Sequence, residues 1–67
     1  MAVQYYYNYA EIDPRDNMCI SILTTTVERT DLVPIPVYDE EYLMKYYING
    51  EWYEDAAGTI PWVSSLI

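Results

Sequence analysis

The sequence contains no histidine, one cysteine and only three basic side chains among its 67 residues. Histidine is the commonest general base, the usual activator of a serine or cysteine nucleophile and a frequent zinc ligand, so most catalytic and zinc-binding arrangements are excluded. A lone cysteine also excludes an internal disulfide, and we expect Cys19 to be a small buried apolar residue. The composition therefore predicts a non-enzymatic protein with no catalytic residues, no metal site and no cofactor.

Charge of one sign dominates the chain, because eleven acidic residues oppose three basic ones and give a formal charge of −8. Phosphate backbones and anionic membranes attract lysine and arginine, so direct nucleic-acid binding and membrane binding are both disfavoured. High net charge mainly promotes solubility. The alternative is a specific use, in which the acidic surface mimics a nucleic acid and occupies a basic partner.

The first residues lack the basic region and long apolar core of a signal peptide. No uncharged apolar run reaches the ~20 residues that a membrane-spanning helix needs. A free cysteine without a leader is typical of synthesis in a reducing cytoplasm. We therefore expect a protein made in the cytoplasm, with no membrane segment.

Small size limits the stability of this chain as a monomer. A domain of about 60 residues buries only about 60% of its unfolded surface. Small domains compensate with disulfides, metals or oligomerisation. Since the composition excludes the first two, we expect an oligomer or a subunit of a larger assembly.

The first half of the chain predicts an N-terminal β-hairpin. Residues 5–12 and 18–26 are rich in β-favouring residues, and the Asp, Pro and Asn of residues 13–17 favour a turn. Alternation puts aromatic side chains on both faces of the first strand, so we expect both faces to be covered, one of them by a second chain. Along the second strand, alternation places Ile20 and Ile22 on one face and Cys19 on the other.

The second half predicts a proline-containing strap, a short helix and a second hairpin. Pro34 and Pro36 restrict residues 32–37 to an edge strand or strap. Asp39 is a good N-cap for a helix of about two turns, and Asn49-Gly50 is typical of a type I′ hairpin turn. The fold class is therefore a small, mostly β (α+β) domain over residues 1–55.

Residues 56–67 are predicted to form an extended apolar C-terminal tail that reaches a neighbouring subunit. The segment from residue 59 onwards has no charged side chain, whereas a free terminus is normally polar. An apolar terminus must be buried in its own fold or in a partner.

The acidic residues could in principle act as a catalytic pair, and the turn of residues 13–17 could bind a metal ion. A solvated surface and an ordinary turn are the favoured interpretations. Glu40 with Glu41, and Glu51 with the acids at 54–55, suit solvated surfaces better than a catalytic pair, since so short a chain does not easily build a pocket. Residues 13–17 lack the glycine and the final glutamate of an EF-hand loop.

Aromatic residues are the main candidates for a protein interface, since nine Tyr and two Trp supply large, rigid, amphipathic contact area. One strand is not expected to bury three tyrosines of one face in so small a core. The predicted interface residues are Tyr5, Tyr7, Tyr9, Trp52, Tyr53, Ile60, Trp62, Leu66 and Ile67.

Two stretches of the chain resemble small proteins of tailed bacteriophages. The first combines Ile12-Asp13 with Asn17-Met18-Cys19-Ile20, and the second runs from Ile35-Pro36 through Tyr38-Asp39-Glu40 to Asn49-Gly50-Glu51-Trp52. This pattern resembles short virion-associated structural proteins of the tail-fibre, baseplate or head-decoration type. Pro34 and the apolar tail depart from it, and the similarity lies in scaffold positions, so it assigns no functional residue.

The resemblance implies a non-enzymatic structural component of the virion, made in the host cytoplasm. Such a protein would dock on head, neck or tail protomers, with other virion proteins or copies of itself as partners. The alternative is a soluble acidic inhibitor that a phage directs against a host nuclease or defence complex.

Overall fold

A computed structural model describes residues 5–67 and confirms a small, mostly β fold, with 38% of residues in strands and 5% helical. Three strands form an antiparallel sheet in the order β2-β1-β3, and the other two form a separate hairpin. The elements are β1 (Tyr7–Ile12), β2 (Cys19–Thr25), β3 (Val33–Ile35), a 3-10 turn (Glu40–Tyr42), β4 (Tyr46–Ile48) and β5 (Glu51–Tyr53). No helix within residues 5–67 is long and apolar enough to cross a membrane.

The turn between β1 and β2 is confirmed and is organised by Asp13. The Asp13 backbone N–H donates to the Met18 carbonyl at 2.8 Å, and Asn17 adopts a left-handed φ of 64°. The Asp13 carboxylate accepts the Arg15 backbone N–H at 2.9 Å and the Arg15 Nη2 at 2.8 Å. These bonds from Arg15 lower the pKa of Asp13 from 3.8 to about 2.

A β-bulge in β2 overturns the predicted alternation of this strand. The register shifts between Glu11 and Ile12, so that Ile12 pairs with Cys19 and Ile20 has no partner. The extra residue moves Cys19 to the core side together with Ile22. Cys19 is consequently 1% exposed, as expected of a buried apolar residue, whereas Ile20 is 48% exposed.

At its centre, β1 is buried on both faces within its own chain. Ala10 is fully buried on the face that meets the core. Tyr9, on the opposite face, is 4% exposed, and its hydroxyl accepts the Arg29 backbone N–H at 2.8 Å. Within its own chain, Tyr9 is thus buried and bonded to the loop after β2, so its burial requires no second chain.

The proline-containing segment forms an edge strand, one of the two predicted alternatives. β3 pairs antiparallel with β1, and Pro34 lies opposite Tyr9. On an edge strand the missing N–H of proline can face away from the sheet, where it removes no ladder hydrogen bond.

The predicted two-turn helix is only a 3-10 turn, although its cap is correct. The Asp39 carboxylate accepts the Glu41 backbone N–H at 2.9 Å. The chain leaves helical geometry at Leu43 and has a φ of 71° at Met44. The Met44 N–H donates to the Cys19 carbonyl at 3.0 Å instead of continuing a helix. Pairing with β2 thus prevails over a helix that was too short to be stable alone.

The Asn-Gly hairpin is confirmed as a type I′ turn, with φ values of 51° at Asn49 and 84° at Gly50. The hairpin docks on the beginning of β2. The Cys19 N–H donates to the Lys45 carbonyl at 2.8 Å, and Met18 forms an isolated bridge with Tyr46. Residues 44–47 therefore lie along residues 17–19, where the chain enters β2, and connect the hairpin to the sheet.

Candidate functional site

A turn built on Asp55 reverses the chain after β5. The Asp55 Oδ1 accepts the backbone N–H groups of Thr59 and Ile60, both at 2.9 Å. The Thr59 hydroxyl also donates to the Asp55 carboxylate, and this bond is the main cause of the lowered pKa of Asp55. Gly58 adopts a left-handed φ of 70° within the turn. These contacts direct the following residues back along the hairpin.

Residues 60–62 lie along β5 in the manner of a third strand. The Glu54 N–H donates to the Ile60 carbonyl at 2.8 Å, and the Trp62 N–H donates to the Trp52 carbonyl at 3.0 Å. Tyr53 and Pro61 form the bridge between these two bonds. This part of the segment predicted as an extended tail packs against its own domain.

A buried hydrogen bond anchors the chain further on. The Ser64 hydroxyl donates to the Asp39 Oδ2, and the two residues are only 3% and 6% exposed. Ser64 Oγ also accepts the Leu66 backbone N–H at 3.1 Å. The residue that caps the 3-10 turn therefore also holds the C-terminal segment.

Three aromatic rings pack together where these elements meet. Tyr42 is 2% exposed, and its ring lies edge-to-face against both Trp52 and Trp62, with each pair of ring centroids 4.8 Å apart. The Lys45 Nζ lies 5.2 Å from the centroid of the Trp62 ring. Edge-to-face contacts of this kind hold the two half-buried tryptophans in fixed orientations.

An apolar groove of about 470 Å³ opens beside the three rings. Val63 and Ile67 contribute exposed apolar side chains, at 73% and 70% exposure. The groove is lined by Pro36, Tyr42, Glu51, Trp52, Pro61, Trp62, Val63, Ser64 and Ile67. Glu51 is the single charged residue of this lining, and its Oε2 accepts the Tyr53 hydroxyl at 2.9 Å, which raises the pKa of Tyr53. The lining suits the apolar or aromatic side chains of another protein.

A second, smaller groove of about 190 Å³ lies beside β1, with Tyr6, Tyr7 and Pro34 among its lining residues. Tyr5 and Tyr6 are 68% and 66% exposed. Tyr7 stacks on Tyr9 with ring centroids 6.4 Å apart.

The predicted interface residues divide into several groups. Trp52, Trp62 and Ile67 line the larger groove, and Tyr53 and Ile60 belong to the paired strands beside it. Leu66 and Tyr5 are exposed but line neither groove. Tyr7 and Tyr9 line the smaller groove. Tyr9 is only 4% exposed and its hydroxyl accepts the Arg29 backbone N–H, so little of its side chain is accessible to a partner.

Sequence reasoning missed six of the nine groove residues as interface residues: Pro36, Tyr42, Glu51, Pro61, Val63 and Ser64. Tyr42 looked like an ordinary helix residue because nothing local indicates that two distant tryptophans pack against it. The absence of charge after residue 58 predicts a buried segment, and its backbone does pack on the domain, but most of its apolar side chains are more than half exposed. The absence of charge did not indicate that Asp39 is the partner of this segment.

The basic side chains already have contacts within the chain. Arg15 pairs with Asp13 at 2.8 Å and Arg29 with Asp31 at 2.7 Å, while Lys45 lies over Trp62. No other ion pair is present in the described part of the chain, so exposed acids such as Glu40 have no basic partner there. No group of three or more acids and Cys among residues 5–67 is arranged to hold a metal ion.

Comparisons with protein-family models, with curated proteins and with solved structures found no match for this chain. The groove and its aromatic rings therefore define the candidate site by their geometry alone.

Proposed function

We propose that this protein is a non-enzymatic structural component of a tailed-phage virion, which docks on a head, neck or tail protomer through its aromatic groove. The observation that carries the proposal is the groove itself, in which Trp52 and Trp62 are held in place by the buried Tyr42. Preorganised aromatic residues are the side chains that contribute most to protein interfaces. The phage-like pattern of the sequence supplies the biological setting.

The rim of the groove is also suited to docking. Val63 and Ile67 are mostly exposed although the groove they line is apolar. Burying a valine side chain contributes about 1.5–3 kcal/mol. A protomer that covers this rim would remove apolar surface from water, which is the stabilisation that so small a domain lacks.

A matched pair of valine substitutions tests the proposal in a binding assay with purified virions. Val63→Asn changes the groove rim, and Val27→Asn makes the same chemical change at a valine that is 63% exposed and lines neither groove. We expect V63N to weaken virion binding by about tenfold, which corresponds to about 1.4 kcal/mol, and V27N to leave it unchanged. Equal binding by both variants, or no binding by the unaltered chain, would reject the groove as the docking surface.

A second candidate function is that of an acidic inhibitor of a nucleic-acid-binding host protein. It is favoured by Glu40, Glu41 and Glu54, which are all exposed and have no basic partner among residues 5–67. Binding to a basic channel should weaken steeply as salt rises. Docking through the groove should instead persist at high salt, because apolar contacts are not screened.

A further inference from the structure

Strand β2 forms one edge of the three-stranded sheet, and part of this edge has no partner among residues 5–67. The two residues before β4 cover only the beginning of β2, where Cys19 bonds to Lys45 and Met44. Beyond the bulge, the described residues provide no partner for the outer side of residues 21–25. Unpaired edges usually carry lysine or proline against association, and β2 has neither between Cys19 and Thr25.

The register shows which backbone groups face this open edge. Opposite residues in an antiparallel pair alternate between hydrogen-bonded and non-hydrogen-bonded positions. Pro34 has no N–H, so its pair with Tyr9 is non-hydrogen-bonded, and the Tyr9 backbone groups point to Leu23 on β2. By alternation, the N–H and C=O groups of Ile22 and Thr24 point away from β1. Cys19, just before the bulged residue Ile20, also points its N–H and C=O groups away from β1, as the same alternation predicts.

We propose that β2 pairs antiparallel with β2 of a second copy, in a register centred on Leu23. In this register, Ile22 of each copy lies opposite Thr24 of the other. The four outward N–H and C=O groups on each strand are then satisfied by four hydrogen bonds across a two-fold axis. The two sheets become one six-stranded sheet, and the edge that lacked a partner lies at its centre.

Two copies of so acidic a chain repel each other least where their contacting strands carry few charges, and this sheet is such a place. β1, β2 and β3 together contain one charged residue, Glu11, although the chain has eleven acidic and three basic residues. In the proposed register the two Glu11 residues are roughly 20 Å apart, from a strand spacing of about 4.8 Å and a rise of about 3.3 Å per residue. That separation exceeds the screening length of about 8 Å at physiological salt.

The pairing deepens the proposed function and rests on it, because it names a second copy as one partner of the virion component. A five-residue edge makes a small interface, so we expect a dissociation constant on the order of 10⁻⁴ M in free solution. On a particle, neighbouring attachment sites would raise the effective concentration and favour the pair.

Backbone amide exchange of the unaltered chain, followed by NMR, tests the pairing. Between about 10 μM and about 1 mM protein, exchange at Ile22 and Thr24 should slow by about fourfold for this dissociation constant. Leu23, whose N–H points to β1, should stay protected at both concentrations. Unchanged exchange at Ile22 and Thr24 up to 1 mM would overturn the proposal.

Two substitutions at one position provide a matched control, measured by sedimentation velocity. Thr24→Pro and Thr24→Val both lose the hydroxyl bond to Asn8 Oδ1, but only the proline loses the outward N–H. We expect T24V to dimerise with rising concentration and T24P to remain monomeric, with β1–β2 pairing intact by circular dichroism. Dimerisation of folded T24P would reject the β2 edge. If T24P does not fold, the amide-exchange experiment alone tests the β2 pairing. Virion binding by V63N tests the groove independently of this pairing.

Discussion

The hydrogen bond between Ser64 and Asp39 should hold the C-terminal segment against the domain, and Ser64→Ala tests this directly. The substitution removes the donor to a carboxylate that is 6% exposed, while the other Asp39 oxygen keeps its bond from the Glu41 N–H. A hydrogen bond to a charged group contributes about 1.5–3 kcal/mol, and leaving its buried partner unsatisfied costs a similar amount. We therefore expect S64A to lower the free energy of unfolding by about 2 kcal/mol.

Thermal unfolding followed by circular dichroism measures this loss. For a domain of 60–100 residues, 1 kcal/mol shifts the Tm by about 4–8 °C, so S64A should lower the Tm by about 8–16 °C. Ser65→Ala is the matched control, because Ser65 is the exposed neighbour of Ser64 and surface substitutions usually change stability by less than about 0.5 kcal/mol. Equal Tm values for S64A and S65A would refute the anchoring role of this bond.

Three further predictions concern the turns and the core. Gly50 has a φ of 84° and no atom within 4 Å of a Cβ built on it, so Gly50→Ala should cost about 1–2 kcal/mol through backbone strain alone; chemical denaturation that detects no loss would contradict this. The pKa of Asp13 is lowered from 3.8 to about 2 by hydrogen bonds from Arg15, so its contribution to stability is fully present above about pH 4 and is lost as the pH falls through 2. Asp13→Asn should remove this part of the acid sensitivity, and an unchanged slope of Tm between pH 4 and pH 2 would speak against it. Burial raises the pKa of the Cys19 thiol, so the folded protein should react slowly with a disulfide reagent at about pH 8 and rapidly in denaturant; equally fast reaction in both states would mean that the core opens at this position.

The elements that the sequence predicted correctly depend on local chemistry. Asn49-Gly50 tolerates the two positive φ values of a type I′ turn, so two residues were enough to locate the second hairpin. Asp39 caps the backbone within two residues of itself. Pro34 has no N–H to donate, so its segment is excluded from the centre of a sheet in any tertiary structure. Each of these features is determined by neighbouring residues and is therefore visible in the sequence.

The elements that the sequence did not predict depend on residues far apart in the chain. The predicted helix gives way because the Met44 N–H bonds to Cys19, and the bulge at Ile20 depends on the pairing of β2 with β1. The C-terminal segment returns to its own domain because Ser64 meets Asp39, 25 residues earlier. The hydrophobic pattern predicts that this segment packs against another surface, but it does not identify the residues of that surface.

The candidate site follows the same division. Trp52 and Trp62 could be selected as interface residues from side-chain type alone. Their arrangement around Tyr42 could not, because it requires the Asp55 turn and the pairing of residues 60–62 with β5. Tyr9 shows the converse, since the sequence predicts an accessible aromatic side chain, whereas the folded chain buries it and bonds its hydroxyl to the Arg29 backbone.

The proposed role as a virion component is tested most directly by quantitative mass spectrometry of gradient-purified phage particles, before and after a high-salt wash. The role predicts that this chain is present at a fixed copy number relative to the structural proteins, and that the wash does not remove it, because apolar and aromatic contacts are not screened by salt. Absence of the chain from purified particles, or its complete loss in the wash, would contradict the role.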